Sequence, residues 1–482
     1  MYIGIDLGST NIKAAIYDKN LNLIDRQSRP VEYIRDSGFV EFDAYLYVQQ
    51  LESLIQDMLA ANCVKEISQI AFTGQAESLV VLGADGHPLM NAISWMDERS
   101  TAECKELEQR FSPAVCEAVT GQMAVLPTWP ATKILWLKHN RPEIYENAST
   151  YMLLKDYVVY YFTGVKKADM SIATFSFYFD IYNKTYWQEM LDAIGVRAEQ
   201  LPQLCEPCTV AGTLLPQIRD RFGITGNCQI NVGTLDHFAG MIGTGNIQPG
   251  GITLSTGTVM ALAVMCGESA PRSCGIAMHY GFLPNTYAML PVAESGGVSL
   301  EWFRRSCMPH VSYDELNAVL AQRSTSPILF LPYLVGTNAP EFHADATGVF
   351  WGLRQEYDAF DMALSVMEGV SFVLRKNCDH IASKGLTPTS IIATGGGAKS
   401  AIWCQLQADI TGLPVQIPAE KEAACLGAAM IAAVSDGRYA SFGQCSADCV
   451  RFATVYQPQS SPVLEQKYQR FCKLYEAALQ IN

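Results

Sequence analysis

Four short stretches of this chain combine acidic, hydroxyl and glycine residues in patterns suited to holding phosphate or moving a proton. The first is Asp6-Leu7-Gly8-Ser9-Thr10, an acid ending an apolar strand run, followed by a turn of small residues. Small side chains leave backbone N–H groups accessible, so such a turn can form an anion nest. The Ser9 and Thr10 hydroxyls would add donors, and Asp6 could hold a magnesium ion through water. A second turn, Ser255-Thr256-Gly257-Thr258, has the same character. Two such hairpins in two halves would grip a nucleotide from both sides. The third stretch, Thr394-Gly395-Gly396-Gly397-Ala398-Lys399-Ser400, follows an apolar strand and precedes a helix. Without side chains in the way, backbone there can approach a flat ligand, although a plain strand-to-helix turn has the same composition. The fourth is Thr234-Leu235-Asp236-His237, after the apolar run Ile230 to Val232. A carboxylate at a strand end can take a proton from a substrate hydroxyl. In phosphoryl transfer the transition state is loose, so such a base mainly orients the nucleophile. Asp236 could equally be a helix N-cap.

The elements that must position these residues are readable from periodicity. Residues 2 to 29 alternate apolar and polar in short β-branched runs, broken at Gly8–Asn11 and Asp18–Asn20, and predict a three-stranded meander. A second strand-turn-strand unit covers Gly251 to Val264. Residues 100 to 225 read as largely helical, with Lys133 to His139 and Leu153 to Phe162 the clearest stretches, and look like an insertion upon the first half. Helical spacing recurs over Ser365 to Lys376 and Ile402 to Thr411, and a last amphipathic helix is predicted near Glu465 to Ala478.

Bulk properties narrow the class. A chain of 482 residues exceeds one ordinary core, and 49% hydrophobic with 17% charged residues is a packed globular composition. A formal net charge of −14 repels polyanions, so nucleic acid is not an expected partner. The first residues lack the basic and apolar regions of a signal peptide, and the longest apolar run, Ala423 to Val434, is far below the ~20 residues that span a bilayer. A cytoplasmic protein with no membrane partner is expected. Fifteen scattered cysteines suit reduced thiols better than a disulfide framework, and the single pair Cys205 and Cys208 does not make a zinc site. P-loop, dinucleotide-fold and protein-kinase signatures are missing from the sequence.

Taken together and in this order, the four motifs resemble the FGGY carbohydrate kinases, the group containing xylulokinase, glycerol kinase, gluconokinase and fuculokinase. The most specific segment is Gly396 to Val415, similar to the C-terminal signature of that family; Gly74-Gln75, Trp95 to Arg99, Lys133 to Trp136, Lys155-Asp156-Tyr157, Pro332-Tyr333-Leu334 and Glu422 to Ala429 are also family-like. The resemblance implies an α/β protein of two actin-like ATPase (ribonuclease H-like) domains with an interdomain catalytic cleft. Residues 1–247 would form an N-terminal domain that mainly binds sugar and carries the helical insertion. Residues 248–482 would form a C-terminal domain that mainly binds nucleotide. Carried over by position, Asp236 is the catalytic base, with Asp6 and Asp236 toward Mg2+. Ser9, Thr10 and Lys13 face the phosphates, Gly257 and Thr258 the β/γ region, Gly396, Gly397 and Ala398 the adenosine of ATP, and Gly297 and Glu301 lie near the nucleotide. A homodimer is a further family expectation.

The sugar pocket departs from that pattern. Xylulokinases usually read Gln-Met-His and glycerol kinases Gln-Arg-Glu-Thr where this chain has Gln75-Ala76-Glu77-Ser78. With Trp95, Asp236 and His237, residues Gln75, Ala76 and Glu77 are the expected substrate contacts; Glu77 can accept bonds from two adjacent hydroxyls, and His237 can both donate and accept. Gly336-Thr337-Asn338-Ala339-Pro340 stands where the family has Gly-Glu-Arg-x-Pro. The expected activity is ATP- and magnesium-dependent phosphorylation of a ketose, a xylulose-like pentulose favoured. Fuculose, glycerol, erythritol or another polyol are alternatives within the family. A non-metabolic actin-like ATPase or sugar sensor is the alternative outside it.

Overall fold

In the computed structural model, which describes residues 1–268, 271–272, 274–337 and 340–481, the chain forms two compact units. The first comprises Met1–Ile247, Ala277–Ala288 and Glu420–Val450; the second comprises Gln248–Ile276, Met289–Ala419 and Arg451–Asn482. Two segments from beyond residue 247 thus return to the first unit, one carrying His279 and the other the apolar helix Ala423–Ser435.

The first unit opens with the meander its alternation predicts: Tyr2–Leu7, Asn11–Tyr17 and Leu23–Pro30 are successive antiparallel neighbours. On the other side of Tyr2–Leu7 the sheet continues in parallel, first with Gln69–Gly74 and then with Gln229–Leu235. The registers Leu7↔Gly74 and Leu235↔Gly74 bring the carboxyl ends of three adjacent parallel strands level. Asp6, Gln75 and Asp236 therefore share one edge of the sheet, the place where open α/β sheets bind ligands.

Helix Ala423–Ser435 is buried over most of its length, and small residues set how deeply. A Cβ at Gly4 would stand 2.0 Å from the Cys425 carbonyl oxygen, and one at Gly427 would stand 1.8 Å from that of Ala239. A Cβ at Gly243 would stand 1.9 Å from the carbonyl oxygen of Ala423. Backbone meets backbone where this helix crosses both the first strand and the helix Asp236–Gly243.

Between residues 100 and 225 the predicted helices are present, including Pro130–Asn140 and Leu154–Thr163, but strands interrupt them. Thr150–Leu153 pairs with Leu79–Leu82 in a separate five-stranded sheet, so the largely helical reading was incomplete. All four residues of Thr150–Leu153 are buried, which removes the polar alternation that marks a strand.

In the second unit the hairpin Gly251–Thr256 and Met260–Cys266 is followed by Ser390–Thr394 and Val415–Pro418, both parallel, and by antiparallel Phe452–Tyr456. Ser400 caps the helix Ala401–Thr411, which stops at Gly412 in the left-handed conformation (φ 72°). The predicted C-terminal helix is Pro462–Leu479, whose buried Lys467 pairs with Glu368 of the helix Ala359–Ser383. Asn338 and Ala339 of the departed Gly-Glu-Arg-x-Pro segment lie outside the described residues. Among the described residues no helix is long and apolar enough to cross a membrane.

Candidate active site

Asp236 is the first residue of the helix Asp236–Gly243, and the N-cap position falls on Leu235, so the capping alternative for this acid is not realised. Its Oδ1 accepts from the His237 backbone N–H at 2.6 Å and lies 2.9 Å from His237 Nδ1. Among the described residues no partner engages Oδ2, so that oxygen keeps its acceptor capacity. The charge of Asp236 raises the His237 pKa, against burial, so the imidazolium form is favoured beside it.

Asp6 faces the same place from the strand Tyr2–Leu7, two strands away across Gln69–Gly74. Its Oδ1 is shut off from solvent without a hydrogen-bond partner. Burial, then repulsion from Asp236, pushes its carboxyl up to about 7. Two carboxylates so placed destabilise each other's charge, and a divalent cation is the chemistry that relieves this.

Gln75 and Glu77 leave the strand Gln69–Gly74 in a tight loop. Gln75 Nε2 donates to the Gly8 carbonyl at 3.4 Å while its Oε1 accepts from Ser78 Oγ at 3.0 Å. Glu77 holds φ at +65°, a left-handed conformation costing a non-glycine residue roughly 1–2 kcal/mol. The fully buried Lys133 maintains it, donating to the Glu77 carbonyl at 3.0 Å and to that of Ser94 at 2.8 Å. Burial pushes the Glu77 carboxyl up, and the Lys133 ammonium partly restrains it. Trp95, whose backbone N–H donates to Ser78 Oγ at 3.0 Å, keeps its side chain 39% exposed. An open indole face can cover the hydrocarbon face of a polyol. Ala76 sits between Gln75 and Glu77, its carbonyl accepting from the Ser78 N–H at 2.8 Å.

Of the residues expected at phosphate, Ser9 and Thr10 lie in the turn after Tyr2–Leu7, while the Lys13 ammonium is engaged by Glu422 at 2.7 Å. In the second unit the hairpin residues Gly257 and Thr258 are exposed. The Gly297 N–H donates to the Gly257 carbonyl at 2.7 Å and the Val298 N–H to the Thr258 carbonyl at 3.1 Å, which seats the start of the helix Gly297–Cys307 on that hairpin. Ser255 pairs with Thr394, so the turn at Gly396, Gly397 and Ala398 lies alongside, and a Cβ at Gly397 would stand 2.7 Å from Thr256. Gly257, Thr258, Gly297, Gly396, Gly397 and Ala398 are thus brought together. Glu301 is on the same helix but is occupied by Arg304 at 3.2 Å and by the Tyr313 hydroxyl at 2.5 Å.

Two family descriptions match the chain: the N-terminal domain of the FGGY family of carbohydrate kinases over residues 1–243 and its C-terminal domain over residues 254–435. The chain belongs to the FGGY family of carbohydrate kinases. It is 28% identical to the xylulose kinase of Bacillus subtilis, covering 98% of this chain and 95% of that protein. A xyloylose kinase from Brucella ovis superposes with a TM-score of 0.92 at 28% identity over the full length of both chains. Glycerol kinase of Plasmodium falciparum shares the fold, with a TM-score of 0.90 at 21% identity over 99% of this chain and 97% of that one. These likenesses establish two actin-like units and a sugar phosphotransferase that uses ATP.

The FGGY site contains residues that sequence reading did not select. His279, 3% exposed, returns to the first unit within range of the His237 charge and stacks on Phe175 at 4.5 Å. Gln122 Nε2 lies 3.3 Å from its Nδ1 while donating to the Met278 carbonyl at 3.1 Å, so Nδ1 accepts and the proton belongs on Nε2. Burial, with His237, lowers the His279 pKa to about 3. The unfolded chain therefore binds a proton here below about pH 6.5 that the folded chain refuses, and stability falls as pH drops from 6.5 toward 3. His279→Gln should flatten that slope, and urea midpoints at pH 7 and pH 5 should show it losing about 2 kcal/mol less than the parent between them.

Proposed function

We propose that this FGGY kinase transfers the γ-phosphoryl group of ATP to a hydroxyl of a ketose, a xylulose-like pentulose first among the candidates, with Asp236 as the base. The observation that carries the reading is the Asp236 carboxylate itself. It stands at a strand end with one oxygen tied to His237 and the other open, on the sheet edge it shares with Asp6 and Gln75. The pentulose preference is supported by the relatives named as xylulose kinases along nearly the whole chain.

In this reading the sugar lies among Gln75, Ala76, Glu77, Trp95, Asp236 and His237. Glu77 accepts from adjacent hydroxyls, His237 donates to another, and Trp95 covers a C–H face. The nucleotide is held by Gly257, Thr258, Gly297, Gly396, Gly397 and Ala398, with Ser9 and Thr10 toward its phosphates. Glu301 and Lys13 have secondary parts, each being already paired. Asp6 and Asp236 would hold Mg2+, which when bound neutralises phosphate charge. Asp6, with an unpartnered oxygen out of solvent, fits that role. A cytoplasmic homodimer completes the reading, and fifteen cysteines outside disulfides suit a reducing compartment.

The test is ADP release with ATP and magnesium across xylulose, ribulose, fuculose, glycerol and erythritol. A pentulose should give the highest kcat/KM; stimulation by none of them, with steady ATP turnover, would overturn the proposal. Glu77→Gln, which keeps shape but loses charge, should raise the KM for the preferred sugar roughly 10- to 100-fold with little change in the KM for ATP.

A further inference from the structure

The strand that delivers Asp236 is irregular at the point of delivery. Gln229–Leu235 follows Gln69–Gly74 in register to Asn231 and resumes at Thr234, and Gly233 between them takes φ +67°. A Cβ there would stand 1.6 Å from the Phe72 carbonyl oxygen. Such a bulge re-aims the residues that follow it, but it also strips buried backbone groups of their ladder partners.

Side chains supply the missing bonds. Lys155 Nζ donates to the Val232 carbonyl at 2.7 Å. The Gly233 N–H donates to Asn231 Oδ1 at 2.9 Å. Thr73 Oγ1 donates to the Thr234 carbonyl at 2.9 Å. The Leu235 N–H, one residue before the base, donates to Ser171 Oγ at 3.3 Å. Ser171 is itself fixed: its hydroxyl donates to Asp169 Oδ1, and its oxygen lies 2.8 Å from Thr234 Oγ1. Asp169 Oδ2 stands 2.5 Å from Lys155 Nζ. Lys155, Asp169, Ser171 and Thr234 are each 0% exposed, so this is a closed polar chain inside the first unit.

The geometry points to Lys155, Asp169 and Ser171 as positioning residues that hold the bulge and thereby aim the Asp236 carboxylate; the inference rests on Asp236 being the base. Burying an ion pair is costly and stabilises a fold little, so its presence against an irregular backbone segment is explained by what that segment delivers. Lys155 holds one end of the bulge at the Val232 carbonyl and Ser171 the other at the Leu235 N–H, and Asp169 ties the two together. None of the three touches the reacting atoms.

Ser171→Ala removes the acceptor for Leu235 while leaving the ion pair. It should lower kcat roughly 10- to 100-fold, the scale of a misplaced catalytic group, with the KM for sugar and for ATP within about two-fold of the parent. Thr234→Val, which keeps the side-chain shape and removes the adjoining contact of Thr234 Oγ1 with Ser171 Oγ, serves if the first variant does not fold. Ile16→Val, in the sheet core away from the chain, controls for loss of stability and should keep its kcat. Unchanged kcat in Ser171→Ala, or a rise in both KM values with kcat retained, would overturn the positioning role. Asp236→Asn is measured alongside: full turnover in that variant would remove the base assignment on which the inference rests. Lost turnover there with parental turnover in Ser171→Ala would remove the positioning role alone.

Discussion

Asp236→Asn is expected to lower the kcat of sugar-dependent ADP release roughly 10²- to 10⁴-fold, the range of a lost general base. The amide keeps the shape of the carboxylate and can still meet His237, so the local fold should persist. What it lacks is an anionic oxygen to receive the hydroxyl proton and a charge to share with Asp6 toward a cation. Binding of ATP, measured by calorimetry without sugar, should be retained, since Gly257, Gly396 and Gly397 belong to the second unit. Loss of ATP binding together with turnover would assign Asp236 to nucleotide binding instead.

Gly427→Ala should destabilise the first unit by about 3 kcal/mol, the upper end of the usual cost of overpacking, and lower its thermal midpoint by roughly 6–10 °C. The added methyl would meet the Ala239 carbonyl oxygen at 1.8 Å, and that neighbour is backbone, which cannot swing aside as a side-chain tip could. Gly243 makes the reciprocal approach to Ala423, so the two helices have no slack on either side. Since the helix Asp236–Gly243 starts with Asp236, relief of the clash by separation of the helices would also move that carboxylate. Thermal unfolding followed by circular dichroism checks the first effect, and kcat measured well below the midpoint checks the second.

The meander, the second hairpin and the glycine turn at residues 395–397 were legible in the sequence because each combines strong periodicity with turn residues that have few other uses. Thr150–Leu153 was not, because a short strand buried throughout carries no alternation. Asp236 could be found by its place after an apolar run, yet its freedom from capping depends on a helix that starts one residue earlier than an Asp N-cap would require. His279 lies more than forty residues beyond His237 and returns to it only through tertiary folding, and no local pattern marks that return. The segment Trp95 to Arg99 resembles the family for two distinct reasons. Trp95 is open to ligand, whereas Arg99 and Asp97 form a buried pair at 2.7 Å that braces Val40, whose N–H donates to Asp97 Oδ2 at 2.6 Å. Lys155 stands out in the sequence only as part of a family-like triplet; its bond to the Val232 carbonyl is something spacing alone does not reveal.

The proposed reaction delivers phosphate to a sugar hydroxyl and not to water. Rapid-quench single turnover with γ-labelled ATP, excess enzyme, magnesium and xylulose tests it directly. The label should appear in a sugar phosphate in near-stoichiometric yield, with little in inorganic phosphate when sugar is omitted. Label released to inorganic phosphate at the same rate with and without sugar would contradict it.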